Sequence, residues 1–521
     1  MRARPLGATT GAAAGLASIA AFLGTAELVA LATGPGSTPV VALGHTVITH
    51  TPESLKQFAI SHFGENDKTA LTISIAVVLV LVAALVGALG VRTRRWVAVL
   101  AIGALAVITA LPAAMQSGAS GLQSLPSLLG AGAATAGYLF LTRNRQPVAS
   151  RETAGSPPTT PPADVPRLSR RQVLLGSTSL LACAAGAYAI GRDGLGKLYS
   201  AAASRAAVRL PRPASRTPQV AGTGFDTPGL APYITPASDF YRVDTALVVP
   251  QLSTDSYTLT VHGMVERPAI FSFRDLLDMP LIERPITMVC VSNPVGGPYV
   301  GNARWLGVPM AHLLERVGVR PGAEQLFMTS SDGMTIGADL HTATDGRAAM
   351  LALAMNGEPL PFEHGFPVRA VIPGIYGYAS ACKWLVDIEL TTYAAKTAYW
   401  VQRGYAPKGS VKLESKIDTP APFAQLRAGA VTVAGSAWHP TVGIRKVEVR
   451  VDRGPWQDAT LANVESVDTW RLWQWHWQAT PGSHSLEVRA IDNHGQVQSA
   501  TDAAVFPNGA SGRDSVVVSV T

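Results

Sequence analysis

Cys290 closes the apolar, strand-like run Ile286-Thr287-Met288-Val289 and leads into the turn-rich stretch Val291-Ser292-Asn293-Pro294-Val295-Gly296-Gly297. A thiol at a strand end facing a glycine-rich loop is a natural single-sulfur ligand for a soft or high-valent metal. A lone cysteine also serves as a small buried hydrophobe, and this position alone leaves both readings open. Farther along, MNGEPLPFEHGFPVR (355–369) precedes IPGIYGYASACKWL, bringing His364, Arg369 and Lys383 together among prolines and glycines that fix the backbone. Arginine forks grip phosphate bidentately, and lysine and histidine add point charges or single donors. The cluster therefore suits a polyanionic ligand. The other two cysteines, Cys183 and Cys382, make no CxxC and no Cys/His cluster, which argues against a zinc site or a disulfide framework.

These strings resemble the sulfite oxidase-type molybdopterin oxidoreductases, in a membrane-anchored bacterial form. The resemblance spans about residues 230–410, and residues 411–521 are similar to the family's immunoglobulin-like C-terminal domain. It rests on MNGEPLPxxHGFPVR followed by PG and KWL, and on the Cys-x-x-Asn at Cys290 and Asn293. It implies a molybdenum–molybdopterin cofactor, with Cys290 as the protein's thiolate on the metal beside the pterin dithiolene and oxo groups. It also implies that Phe240, Arg242 and Asp244 line the cofactor, and that His364 and Arg369 contact the pterin phosphate. Lys383 falls on the lysine of KWL, and Asp332, in SSDG, on an acidic cofactor contact. Ala381 and Cys382 fall among the cofactor contacts of the loop before KWL, Cys382 through its backbone. Tyr405, five residues after Trp400, falls on the active-site tyrosine. Each has an ordinary alternative: Arg369 as a strand arginine, His364 as a satisfied turn histidine, Tyr405 as a packing residue.

The departures bear on substrate. Where the family's sulfite oxidases have Arg-Arg after Cys-x-x-Asn, this chain has Pro294-Val295. Ala379 or Ser380 stands at the second arginine of the loop before KWL, and Asp244 replaces a histidine. Those arginines help hold the sulfite dianion, so the resemblance implies fold and cofactor and leaves the substrate open. The expected reaction is oxygen-atom transfer to or from a small oxyanion or an S- or N-oxide. No haem-binding domain precedes the molybdenum domain in this sequence, so electrons are expected to pass to or from a separate carrier, a cytochrome or quinone, or through the membrane half. Two alternatives stand beside sulfite oxidase-like chemistry: a sulfoxide or related S/N-oxide reductase fed by membrane quinones, and a non-catalytic binding module on a membrane anchor. A homodimer is open.

The elements that must position these residues change character along the chain. Residues 225–410 mix short strands (SYTLTVHGM) with short helices (FRDLLDM, MAHLLERVGV) closed by glycine and proline, which predicts an α+β domain. From 411 only strand patterns occur (VTVAGSAW, IRKVEVRVD, WRLWQWHW, HSLEVRAID, DSVVVSV), which predicts a small β-sandwich. Alternation puts three of Trp470, Trp473, Trp475 and Trp477 on one face of a strand, as core or interface; a carbohydrate or quinone platform is the other reading.

The 521 residues are 47% hydrophobic and only 15% charged, against about 25% charged in soluble domains. The net charge of +7 divides into +8 over residues 1–200 and −1 over the rest. The basic residues flank apolar segments, so they read as a topology signal and not as a nucleic-acid surface. Four stretches of spanning length (11–33, 69–91, 96–115, 122–142) fill a bundle over 1–145. Arg2 and Arg4, then Arg92, Arg94 and Arg95, then Arg143 and Arg145 mark alternate, cytoplasmic ends, leaving the 34–68 loop outside. A proline-rich linker follows over 146–171, ending in Ser169-Arg170-Arg171-Gln172-Val173-Leu174-Leu175. This string resembles a twin-arginine export signal; a plain cytoplasmic anchor is the alternative. A fifth span (172–191) and a second linker (192–224) complete the expectation, with everything after Arg192 outside the cytoplasm. Glu27, inside the first span, is either functional or a protonated or snorkelling residue. No pair of intramembrane histidines exists to clamp a haem.

Overall fold

The computed structural model describes residues 7–52, 55, 58, 62–63, 66–92, 94–115, 121–143 and 169–521. Arg2, Arg4, Arg145 and most of the proline-rich linker lie outside the described residues. The chain divides into two compact units. One is Met1–Ser200 with Thr245–Val248, and the other is Ala201–Asp244 with Val249–Thr521.

The first unit is helical: α1 (Ala8–Thr33), α2 (Pro39–His50), α3 (Asp67–Arg92), α4 (Trp96–Ala114), α5 (Leu125–Leu141) and α6 (Arg170–Leu198). Five segments, all but α2, are long and apolar enough to cross a membrane. Helix α1 packs against α3, α5 and α6, and small residues allow the close approach. A Cβ on Gly11 or Gly15 would lie 2.5 or 2.1 Å from backbone oxygens of α3, and one on Gly191 would lie 2.7 Å from Glu27. Small residues at such crossings let helix backbones approach closely. Glu27 is buried, and its Oε2 has no partner among the described residues. The expected outside loop is partly helical: the apolar run from Pro39 to His50 folds as α2, with proline at its start, where no amide is needed.

In the second unit, two sheets sandwich the largest core. One runs β1 (Ser215–Arg216), β4 (Ile282–Val289), β5 (Val300–Pro309), β8 (Met350–Met355), β10 (Arg369–Val371), with β9 (Glu358–Pro359) on β8; the other runs β3 (Ala269–Ser272), β2 (Thr258–Gly263), β11 (Leu385–Thr391), β6 (Gln325–Ser330), β7 (Thr335–Asp339). Met350–Met355 is buried at every position, because its sheet is covered on both faces. One face joins the core of Leu351, Leu353 and Val368; the other packs Ile286, Trp305, Met350 and Phe366 under Phe240. The second face carries the site. Residues 201–224, expected to be a linker, belong to this unit: β1 (Ser215–Arg216) pairs in parallel with β4 at Ile282 and Glu283.

The C-terminal residues form two further sheets around a shared core: β12 (Glu414–Thr419), β14 (Gly429–Trp438), β18 (Arg471–Ala479), β17 (Thr460–Leu461), and β13 (Gln425–Leu426), β20 (Ser515–Val520), β19 (Gly482–Asp492), β15 (Ile444–Val451), β16 (Gln457–Asp458). On β18 (Arg471–Ala479), Trp473, Trp475 and Trp477 point into that core while His476 and Gln478 are exposed. This is the core placement that the alternation predicts. Trp470 does a different job: its backbone amide donates to Thr287 Oγ1 of β4 at 2.7 Å, and its indole Nε1–H donates to the Tyr233 carbonyl at 2.9 Å. The residues leading into β18 are thereby fixed to the strand that leads into Cys290.

Candidate functional site

Three segments converge on the second face of the β4–β5–β8 sheet. The first is the β4–β5 connection. Val289 pairs with Val300, and just outside that pair the Cys290 amide donates to the Tyr299 carbonyl at 2.9 Å. Asn293 closes the turn: its amide donates to the Cys290 carbonyl (3.0 Å), and its Oδ1 accepts from the Tyr299 amide (2.7 Å). Its Nδ2 is buried with no partner among the described residues. Burial pushes the Cys290 thiol above its ordinary range, opposed by hydrogen bonds from Ser292 and the charge of Lys383. Such a thiol is a poor free nucleophile, whereas a bound metal ion would deprotonate it directly.

The second segment runs from the short helical turn Phe362–His364 to Lys383. Gly365 stands at φ +106, and a Cβ there would lie 3.0 Å from the Lys383 Cβ and 3.1 Å from the Arg369 Cβ. Only glycine lets the backbone pass between those two cations without strain. Arg369 opens β10 and is buried. Its guanidinium lies 5.0 Å from the Trp305 ring centroid and Nη1 donates to the His364 carbonyl at 3.0 Å. Its Nε is a second orphan, buried without a partner among the described residues. Burial lowers the Arg369 pKa to about 10, so it stays cationic at neutral pH. His364 is neutral there: burial, reinforced by the charges of Arg369 and Lys383, takes it down to about 4.

The third segment, 233–244, has no regular structure and is tied to the sheet by side chains. Asn302 Nδ2 donates to the Tyr233 carbonyl (2.8 Å), Asn356 Nδ2 to the Thr235 carbonyl (2.9 Å), and His364 Nε2 to the Ala237 carbonyl (2.9 Å). A carbonyl can only accept, so His364 carries its proton on Nε2. Phe240 then packs edge-on against both Trp305 and His364. Asp244 bridges two cations, with Arg242 Nε at 2.9 Å and Lys383 Nζ at 2.6 Å. Lys383 also donates to the Glu363 carbonyl at 3.0 Å.

Phe240, Arg242, Asp244, Cys290, Asn293, His364, Arg369 and Lys383 are thus brought together. Tyr405 packs among Tyr378, Trp400 and Phe506, in the same core cluster as Val289 and Val291, the neighbours of Cys290. Cys382 is fully buried in the main core, with its thiol pushed up by burial and by Asp332; its carbonyl accepts from the Ala370 amide at 2.9 Å. Asp332 itself caps a turn through the Met334 amide (3.2 Å). The Ala381 amide is engaged by the Gly377 carbonyl (2.9 Å). Ser380, one of the two residues at the missing-arginine position, is fully buried, with Oγ 3.0 Å from the Ile375 and Tyr376 carbonyls. Sequence reasoning missed Tyr241, Tyr299 and Trp305. The one available signal for them was position: each neighbours or faces a motif residue.

Residues 246–400 match the family model described as an oxidoreductase molybdopterin binding domain. Cys290, His364, Arg369 and Lys383 fall inside that range. Mitochondrial sulfite oxidase of Mus musculus is 30% identical over 323 residues, covering 53% of this chain and 59% of the relative's own length. The oxidoreductase YuiH of Bacillus subtilis is 34% identical over 153 residues, covering 29% of this chain and 74% of that protein. The NADH-dependent nitrate reductase of Cichorium intybus is 31% identical over 178 residues, covering 29% of this chain and 19% of that one.

Proposed function

The chain belongs to the sulfite oxidase-type molybdopterin oxidoreductase family, and from that premise we propose that it is a membrane-anchored oxygen-atom transferase whose Cys290 ligates molybdenum. Its cofactor is molybdenum held on molybdopterin. The residues present fit that group. Two buried donors, Asn293 Nδ2 and Arg369 Nε, lack partners among the described residues; Asn293 closes the turn that begins at Cys290, whose buried thiol has a raised pKa. An orphaned buried donor costs about 1–3 kcal/mol, so two of them beside a cysteine mark a place built for a polar, anionic occupant. That observation carries the reading.

When bound, the molybdenum centre supplies two-electron oxygen-atom chemistry. The protein's part is to hold and shape. Cys290 offers one sulfur from a rigid strand end. Arg369 and Lys383 supply positive charge for the pterin phosphate, and neutral His364 keeps the 233–244 segment against the sheet. Sulfite oxidation takes in water and releases two protons and two electrons; reduction of an S- or N-oxide consumes two of each and releases water. A separate cytochrome or quinone exchanges the electrons. The reductive direction is favoured by one observation: the arginine positions hold Pro294-Val295 and a buried, already bonded Ser380, so those positions offer no cation to a dianion.

The five long apolar helices of the first unit, α2 excepted, serve as spans, with basic ends cytoplasmic and the second unit outside. Arg170 and Arg171 form an internal twin-arginine signal, and the C-terminal sheets form an immunoglobulin-like domain. The purified protein, assayed with sulfite and with methionine sulfoxide using artificial electron carriers, tests the function. Turnover of either supports oxygen-atom transfer; a molybdenum-loaded sample inert to both contradicts it.

A further inference from the structure

A loop between β19 and β20 reaches back from the C-terminal sheets to the redox domain. Ala503 and Ser511 exchange both backbone hydrogen bonds (2.9 and 3.2 Å), and the Gly509 amide donates to the Val505 carbonyl at 2.7 Å. Residues 503–511 are thereby closed on themselves. The loop is also tied down: the Ala406 amide donates to the Pro507 carbonyl at 3.2 Å, and Lys412 Nζ donates to the Gly509 carbonyl at 2.6 Å and to Ser511 Oγ at 3.0 Å. A Cβ on Gly509 would lie 2.4 Å from Tyr376 Oη, so the backbone is pressed against that hydroxyl. Just beyond, a Cβ on Gly512 would lie 3.3 Å from Val295 Cγ2, and one on Gly296 would lie 2.4 Å from Asp514 Oδ1. Val295 and Gly296 belong to the turn-rich stretch that follows Cys290. One loop therefore touches both the surroundings of Tyr405 and the stretch after the cysteine.

Phe506 is the large apolar side chain that this loop presents. Its ring meets Tyr405 edge-on (centroids 5.2 Å apart, 83° between planes), and a Cβ on Gly404 would lie 3.1 Å from its Cζ. Phe506 nevertheless remains 44% exposed, whereas Tyr405 is 3% exposed. Trp400 also meets Tyr405 edge-on, at 5.4 Å, and is only partly buried. Two half-bare rings thus flank a buried tyrosine, and the loop's backbone ties keep Phe506 from folding away. A bare aromatic face held in place gains from covering apolar surface, and little ordering entropy opposes it. The stretch after Cys290 agrees in character: Val295, at an arginine position of the sulfite oxidases, puts an apolar side chain against Gly512.

We propose that Phe506 is a specificity-determining residue that packs against an apolar substituent of the bound S- or N-oxide. The C-terminal sheets then select organic oxides with an aryl or long alkyl group over the smallest ones. This rests on the oxygen-transfer reading above. The ring takes no part in the chemistry; it removes apolar substrate surface from water, so its effect falls more on KM than on kcat.

The test compares the full-length protein with Phe506→Ala and Phe506→Leu, each matured with cofactor. Molybdenum content is measured, together with KM and kcat for dimethyl sulfoxide and methyl phenyl sulfoxide with an artificial electron donor. Covering one phenyl face is worth about tenfold in binding. The parent is expected to favour methyl phenyl sulfoxide by about tenfold or more in kcat/KM. Phe506→Ala should lose most of that preference, chiefly through a raised KM for the phenyl substrate, and Phe506→Leu should keep part of it. A parent that treats the two sulfoxides alike overturns the proposal, as does an alanine variant that keeps the preference or loses equally on both substrates. If the alanine variant matures without molybdenum, Phe506→Leu at full molybdenum content decides: a reduced preference upholds the proposal and an unchanged one overturns it. A parent that turns over sulfite and neither sulfoxide overturns the proposal and leaves the oxygen-transfer reading standing. A molybdenum-loaded parent inert to all three overturns both.

Discussion

His364 carries the clearest pH signature of any residue in the site. Its pKa falls to about 4 in the folded protein, below the unfolded value of about 6.5. The unfolded chain therefore binds more protons between those values. Stability is constant above about pH 6.5 and falls as pH drops toward 4. We expect thermal melts of the protein to lose stability over that window, and His364→Gln to flatten the slope. An unchanged slope would contradict the neutral Nε2–H state that holds the Ala237 carbonyl. Cys290→Ser should retain the fold, lose the sulfur-to-metal charge-transfer absorption, and lose more than about 100-fold in turnover; a variant with full absorption would remove Cys290 from the metal. At this scale the motif residues were legible, because their types announce charge or metal affinity. Tyr241 and Tyr299 were not: a tyrosine announces neither charge nor metal affinity, and only the stacking of Tyr241 on Phe240 and the Tyr299 carbonyl's bond to the Cys290 amide place them at the site.

Among the elements, the 362–383 segment concentrates the most function in the fewest residues. Gly365 threads between Arg369 and Lys383 at a left-handed φ of +106. Gly365→Ala should cost about 1–3 kcal/mol of stability and lower pterin retention, read as a reduced melting temperature and a reduced pterin-to-protein ratio. Normal values for both would show that the segment tolerates the displacement. Strand and helix patterns were readable because burial imposes periods of two or about 3.6 on them. The sequence did not predict α2 inside the expected loop, or the attachment of 201–224 to the sheet. That attachment depends on a two-residue strand at Ser215–Arg216, too short to leave a period. The SRRQ string has a local explanation too: Ser169 and Gln172 form a reciprocal cap at the start of α6 (3.2 and 2.7 Å). Arg170 and Arg171, placed in the first turn of α6, oppose the helix dipole. The cap needs the serine and glutamine only, so the arginines answer to a requirement other than helix stability.

At the scale of the whole molecule, the proposed reading joins an apolar helical unit to a redox unit that folds around its cofactor before export. Replacing Arg170 and Arg171 with lysine, with a reporter after Thr521, should switch that reporter from outside to inside while the first four spans still insert. A reporter that stays outside would make α6 an ordinary anchor. A parent reporter inside would mean that the first span, with Glu27, or the 122–142 segment does not cross. The two-unit division was legible from composition, since the excess positive charge lies wholly within the first 200 residues. The substrate was not, because it depends on which donors remain unpaired once the chain has folded. The claim on which the rest depends is that Cys290, with the orphaned donors of Asn293 and Arg369, surrounds molybdenum on a pterin. Elemental analysis of matured, full-length protein, alongside pterin release, measures this directly. We expect close to one molybdenum and one pterin per chain, with the metal lost or greatly reduced when Arg369 and Lys383 are both replaced by alanine. Protein matured in a cofactor-competent host that carries neither molybdenum nor pterin would contradict it.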